Sequence, residues 1–244
     1  MKTDLQIAAR DDLAHLQHYF AAHNRVQISD VLTQDTAQAL LHALKNQQQW
    51  NIVWNEQGKH VDMDFDGVMQ LPSAQLSALI DKIYRQASDD FQYFYANIPL
   101  YDIYQHNRLP GHFFNTIYQF INSEPLLELA RRVTGFDQIE FADAQITRYS
   151  AGHFLTQHDD DVKGKGRLAA YVLNLTPTWR PDWGGALVFP DAERGFSEAL
   201  YPCFNALNLF AVPQNHLVSM VSSFATEHRY SITGWLRSSR EKSD

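Results

Sequence analysis

Two periodicities divide this chain. Up to Gly135 apolar residues recur at three- and four-residue intervals, and after it they sit in short, loosely alternating runs broken by Gly, Pro and Asp. The first pattern predicts helices. Residues 11–23 place Leu13, Leu16, Phe20 and Ala21 on one face, and residues 33–46 place Ala37, Leu40, Leu41 and Leu44 at helical spacing. Residues 25–29 between them read as a short strand. Residues 50–55 and 60–65 flank a polar turn and pair as a hairpin, with Trp50 and Trp54 on its first arm. Core packing is the ordinary role for those tryptophans, and a mobile arm that grips substrate is the functional alternative. Ser73 is placed to cap a long helix reaching about Tyr95, with Leu76, Leu79, Ile80 and Ile83 inward. Residues 98–110 have loop character. Two further helices follow at 113–121 and 123–133, the second capped by Ser123 and ended by Gly135.

Beyond Gly135 the runs at 139–149, 168–175, 186–189, 206–212, 216–221 and 229–236 are strand-like. Short strands separated by turn residues predict an antiparallel fold of two sheets, against which the helical half packs. No repeat, low-complexity tract or linker interrupts the chain. It reads as one domain over 1–244, with helix-rich support at 1–135 and the β core at 136–238.

Composition narrows the setting. No apolar run approaches the roughly 18 residues of a membrane span, and the first residues lack the apolar core of a signal peptide. A single cysteine, Cys203, cannot form an internal disulfide. Together these predict a reducing cytoplasm and no membrane partner. The 28 acidic against 20 basic residues give a formal charge of −8, which argues against nucleic-acid binding through bulk charge.

The candidate chemistry lies in the β half. His158 and Asp160 are two apart, so on a strand both side chains face one point while Asp159 turns away. With eleven histidines in the chain, a lone His-x-Asp is weak evidence by itself. A second histidine from a distant strand would complete three ligands on one face of a metal, leaving positions open for cosubstrate and oxygen. His216 opens a strand after Pro213. His228 directly precedes Arg229, so it points outward if Arg229 points inward. His216 is therefore the third ligand, and His228 a surface residue. His153 lies on the approach to the motif, with packing its main role. Arg229 begins the run Arg229-Tyr230-Ser231-Ile232-Thr233-Gly234-Trp235. Its planar fork suits a carboxylate, and a buried arginine needs an anionic partner. A dicarboxylic keto acid supplies one, chelating the metal at one end and meeting Arg229 and Ser231 at the other. A structural salt bridge is the bland alternative. Tyr171 and Tyr149 flank the His-x-Asp motif in sequence, and of the two hydroxyls Tyr171 is favoured for the cosubstrate. The glycines after Trp183 read as a tight turn.

These residues together resemble the prolyl hydroxylase branch of the Fe(II)/2-oxoglutarate dioxygenases, and within it the ribosomal-protein prolyl hydroxylases. The likeness rests on His158-Asp159-Asp160-Asp161, the Gly-rich basic run ending in Arg167, and Tyr171-Val172-Leu173-Asn174-Leu175. Further along it rests on Pro177-Thr178-Trp179, Gly184-Gly185-Ala186-Leu187, the His216 strand and the Arg229 run. It is dense from Ala142 to Leu236, and the hairpin at 50–65 has no counterpart in it. The resemblance implies a double-stranded β-helix, or jelly roll, backed by N-terminal helices: a mainly β (α+β) fold. It implies Fe(II) on His158, Asp160 and His216, 2-oxoglutarate on Arg229 and Tyr171, O2 as co-reactant and ascorbate as auxiliary reductant. The implied reaction hydroxylates a proline of a protein or peptide, ribosomal or otherwise part of translation. Two alternatives stand beside it: the same chemistry on a small molecule such as free proline, and a non-catalytic metal-binding jelly-roll module.

Overall fold

The computed structural model describes residues 4–191, 193 and 195–238. Seven α-helices occupy its first half: α1 (Leu13–His23), α2 (Gln34–Lys45), α3 (Phe65–Met69), α4 (Ser73–Asp89), α5 (Leu100–Gln105), α6 (Phe113–Ile121) and α7 (Glu124–Thr134). Four strands lie among them: β1 (Arg25–Ile28), β2 (Asn51–Glu56), β3 (Lys59–Asp64) and β4 (Tyr93–Ile98). The second half holds β5 (Phe141–Ala142), β6 (Gln145–Tyr149), β7 (Phe154–His158), β8 (Arg167–Asn174) and β9 (Leu187–Asp191). It continues with β10 (Phe196–Leu200), β11 (Ala206–Ala211), β12 (His216–Val218) and β13 (Arg229–Arg237).

Local chemistry sets several of these boundaries. The Thr33 hydroxyl accepts from the Thr36 N–H and caps α2. Gly135, at φ +73°, ends α7 in the left-handed conformation that glycine adopts without steric cost. Ser123 precedes α7 but its side chain makes no capping bond, contrary to the expectation from sequence.

Two elements differ more substantially from the sequence reading. The helix from Ser73 stops at Asp89 rather than near Tyr95, because Asp90 is extended and the aromatic run after it forms β4. The segment after Pro99, read as loop, contains the short helix α5, which buries Leu100 and Ile103. Strands β7 and β10 also lie outside the predicted runs; β10 pairs with β9 as a hairpin.

All strand pairings are antiparallel. The path runs β1-β11-β8-β13-β6-β4-β7-β12-β9-β10, with β5 on β13 and the β2–β3 hairpin attached through β2 to β4. The two ends of this path approach each other. Arg25 on β1 donates from Nε to Glu198 on β10 at 2.8 Å, so the sheet curls into a nearly closed jelly roll. The hairpin is tied into the sheet by its pairing with β4, and Trp50 and Trp54 are buried. Core packing is therefore their role.

One apolar core joins the two halves. Phe20, Leu40, Ile117 and Leu127 from the helices pack with Ile146, Tyr171 and Ile232 from the strands. Each such side chain contributes about 1.5–3 kcal/mol when fully buried. Strand β4 belongs to both sides of this arrangement. Phe94, Ala96 and Ile98 pack into apolar clusters, while Tyr93, Tyr95 and Asn97 border a cavity inside the roll. Among the described residues no helix is long and apolar enough to cross a membrane.

Candidate active site

The last residue of β7 and the first of β12 are His158 and His216, and the sheet register sets them directly opposite each other. Their ring centroids are 4.2 Å apart. Asp160 lies two residues past the end of β7, not on the strand as its spacing suggested. Its φ of +64° places it in the left-handed region, which aspartate tolerates better than most residues. That turn brings its carboxylate between the imidazoles, with Oδ1 3.3 Å from His158 Nε2 and Oδ2 3.4 Å from His216 Nε2. One ligand atom from each of the three residues lies within 4.8 Å of the others.

Backbone carbonyls fix which ring nitrogens converge. His158 Nδ1 meets the Thr156 carbonyl at 2.9 Å and His216 Nδ1 meets the Gln214 carbonyl at 2.8 Å. A carbonyl only accepts, so each Nδ1 carries the proton and each Nε2 lone pair is presented to the common point. Burial favours a neutral Asp160, but the His158 contact, the charge either histidine carries when protonated and the nearby Trp235 indole outweigh it and hold the carboxyl below its usual range. Burial, reinforced by His158, lowers His216. An ionised carboxylate and a neutral imidazole are the protonation states a metal requires. Two imidazoles and one carboxylate on one side of a point fit Fe(II) with open positions.

Arg167 braces the Asp160 turn. Its Nη1 donates to the Asp160 carbonyl at 3.0 Å, and its guanidinium lies 3.5 Å from the centroid of the Trp235 ring.

The same cavity, of about 660 Å³, reaches Arg229 at the start of β13. Arg229 pairs in register with Tyr149 of β6 and sits 5.1 Å from that ring's centroid. It is 2% exposed, and its Nε and Nη1 have no hydrogen-bond partner. Burial lowers its pKa, with the Tyr149 hydroxyl opposing. Gly185 lies against it: a Cβ there would crowd the Trp179 ring at 3.1 Å and Val221 at 3.2 Å while only touching Arg229 Cδ at 3.7 Å. An unpaired guanidinium in a low-dielectric cavity calls for an anion. The donor set thus fits a keto acid with a distal carboxylate. Ser231 also faces the cavity, its hydroxyl 2.8 Å from that of Thr147.

Tyr171 is not part of this site. Strand β8 turns Ala170 and Val172 to the cavity and Tyr171 to the opposite face, where its hydroxyl donates to the Asp143 carbonyl at 2.9 Å within the main core. Tyr149 does border the cavity, stacked on Tyr95 with centroids 4.9 Å apart. His228 is exposed and contacts Ser150, and His153 is buried against Phe94. Sequence reasoning missed the cavity's other wall: Tyr93, Tyr95 and Asn97 on β4, and His60 and Asp62 on β3. The alternation of Phe91, Tyr93 and Tyr95 was the available signal.

Residues 144–237 match the family described as the 2OG-Fe(II) oxygenase superfamily. The matched stretch runs from β6 to β13, and the family it resembles uses Fe(II), 2-oxoglutarate and O2. Among curated proteins it is similar to the prolyl 3-hydroxylase OGFOD1 of Mus musculus, with 34% identity over 111 residues. That match spans 43% of this chain and 20% of the mouse protein. The fold is shared with a prolyl-4-hydroxylase from Pseudomonas putida, at 18% identity and a TM-score of 0.52 over 93% of this chain and 100% of that one. An oxidoreductase of the 2OG-Fe(II) oxygenase family from Burkholderia pseudomallei shares it too, at 12% identity and a TM-score of 0.57 over 96% and 94%.

Proposed function

We propose that this chain hydroxylates a prolyl residue of a polypeptide, with His158, Asp160 and His216 holding Fe(II) and Arg229 holding the distal carboxylate of 2-oxoglutarate. The observation that carries this reading is the meeting, in one cavity, of the two-histidine, one-carboxylate cluster and a buried arginine without a partner. The prolyl assignment draws on the mouse relative, and the resemblance of the β-half motifs extends it to a ribosomal or other translation protein. The working compartment is the cytoplasm, and the whole chain acts as one domain.

Iron and 2-oxoglutarate, when bound, would supply the activation of O2, the oxidant, one oxygen atom ending in the hydroxylated C–H bond and the other in succinate as CO2 leaves. The protein's own contributions are ligation, orientation and exclusion of water. The carbonyl contacts at Thr156 and Gln214 keep both imidazoles in the ligating tautomer. Arg229 would hold the distal carboxylate of the keto acid, and Ser231 and Tyr149 line the same cavity. Tyr171 has no part in this.

The test is an anaerobic titration with Fe(II) and 2-oxoglutarate, read as the visible charge-transfer band of the chelate. The band should form in the native protein and be lost on Asp160→Ala. Iron binding with no band would sink the cosubstrate assignment. Succinate formation should then depend on proline-containing peptides, and turnover of free proline alone would sink the polypeptide assignment.

A further inference from the structure

The cavity has an outer half that neither the metal cluster nor Arg229 explains. Strand β4 runs along it, and Phe91, just before that strand, is 43% exposed with its ring 5.2 Å from that of His158. Tyr93 continues the wall, 5.6 Å from Phe91, and its hydroxyl is 2.7 Å from His60 Nδ1 on the hairpin. This apolar rim adjoins the reacting centre, where the outer part of a substrate would lie.

Four carboxylates border the cavity besides that of the metal cluster and Asp143: Asp62 on β3, Asp102 on α5, and Asp159 and Asp161 flanking Asp160; His60 and Arg167 are the basic groups that line it with them and with Arg229 and the cluster histidines. Among the described residues none of these four carboxylates forms a salt bridge. Burial, with the charge of Asp102 adding to it, raises Asp62 despite His60, Asn51 and Arg108. His60 and, more weakly, Arg108 act on Asp62 through space, but neither forms a salt bridge with Asp62 or Asp102.

Asn97 gives an independent indication. It is 4% exposed and borders the same cavity as Asp102. Its Nδ2 donates to Gln145 Oε1 at 3.0 Å, which fixes the amide's orientation. Its Oδ1 is buried with no partner. A buried acceptor left unmade costs free energy that a donor-bearing ligand would recover. Tyr93 and Tyr101 border the cavity as well, and aromatic rings favour a nearby cation.

We infer that the outer half of this cavity is a subsite for a lysine or arginine side chain carried by the substrate polypeptide close to the residue that is oxidised, with Asp62, Asp102 and Asn97 Oδ1 as its acceptors. The inference rests on the oxygenase reading of the cavity and names the class of polypeptide it takes: a basic one. Asp159 and Asp161 extend the same preference to the far lip. The net charge of −8 adds a long-range attraction for such a chain.

The experiment measures binding apart from turnover. Fluorescently labelled peptides with a central proline flanked by lysine, by alanine or by glutamate are titrated into the Fe(II)- and 2-oxoglutarate-loaded protein under anaerobic conditions. The native protein should bind the lysine peptide about tenfold more tightly than the alanine peptide, and the glutamate peptide least. In Asp62→Asn/Asp102→Asn the lysine advantage should shrink to about threefold or less, with the melting temperature unchanged. Equal affinity for all three peptides, failure to bind the lysine peptide, or an undiminished preference in the double variant would each overturn the subsite. A companion lysine peptide with alanine in place of proline separates the two readings. Proline-dependent succinate formation without charge preference removes the subsite and leaves the prolyl assignment. Lysine-dependent binding without proline-dependent succinate does the reverse.

Discussion

Replacing Arg229 with methionine would separate what the buried charge costs the fold from what it does for the ligand. Arg229 is 2% exposed and two of its nitrogens lack partners. An uncompensated buried charge costs several kcal/mol. Methionine keeps most of the apolar stem and loses the guanidinium contact with the Tyr149 ring, worth about 1–2 kcal/mol in a desolvated setting. The desolvation term is the larger. The variant should therefore be more stable than the native protein without ligands, by about 1–3 kcal/mol. For a chain of this size that is a rise in Tm of roughly 2–10 °C. Adding 2-oxoglutarate to the Mn(II)-loaded proteins should narrow or reverse the order, because ligand at a hundredfold excess over Kd contributes about 2.7 kcal/mol to the native protein alone. Differential scanning fluorimetry of both proteins, with and without Mn(II) and 2-oxoglutarate, reads every quantity needed. A ligand-free variant less stable than native by more than about 2 kcal/mol would mean that the guanidinium is satisfied within the fold. An unchanged 2-oxoglutarate shift would mean that the anion binds elsewhere.

Three further outcomes are expected. Arg167→Met removes the donor that holds the Asp160 carbonyl and should lower Mn(II) affinity about tenfold, measured by electron paramagnetic resonance, with Arg167→Lys restoring part of it; equal affinity in all three proteins would deny the brace. Tyr171→Phe should leave 2-oxoglutarate affinity within about twofold while costing about 1 kcal/mol of stability through the lost bond to Asp143, and a large loss of cosubstrate affinity would return Tyr171 to the site. His153 is held neutral: burial lowers its pKa from 6.5 to about 4, with Arg148 and His228 adding to the effect against the carbonyl bond. The unfolded chain takes up this proton first as pH falls, so the contribution is complete above pH 6.5 and is lost between there and about 4, amounting to about 3 kcal/mol. Urea midpoints at neutral and acid pH should differ less in His153→Leu than in the native protein, and identical pH slopes would refute the assignment.

The sequence disclosed the reacting half of the molecule better than the recognising half. Most strands after Gly135 are short and bounded by turn residues, so their positions along the chain were readable, and His216 and Arg229 open two of them, whereas β7, which ends at His158, lay outside the predicted runs. Which way Tyr171 points was not readable. The outer residues of β8 are half-buried and Ala169 to Asn174 are buried on both faces, so no polar face reveals the parity of the strand. The position of Asp160 was right for the wrong reason, because a left-handed aspartate leaves no periodic trace and only happens to agree with strand alternation. Strand β4 was absorbed into the preceding helix although its burial alternates at first, since helical and strand patterns overlap where apolar residues crowd together. Helix α5 is six residues long, too short for a 3.6-residue period to show.

Strand β4 carries Tyr93, Tyr95 and Asn97 to the cavity from a stretch of chain far from the metal cluster. The hairpin that adds His60 and Asp62 hangs on the same strand. On the proposed reading, reactivity and most of the choice of target are thus written in separate lengths of sequence, joined where β4 pairs with β6 and β7. A lineage can revise residues 51–102 and acquire a new client while the oxidising centre passes unchanged from parent to descendant. For an engineer the same division makes that length the natural unit of exchange, with β4 as the seam along which a borrowed recognition wall must be joined to its catalyst.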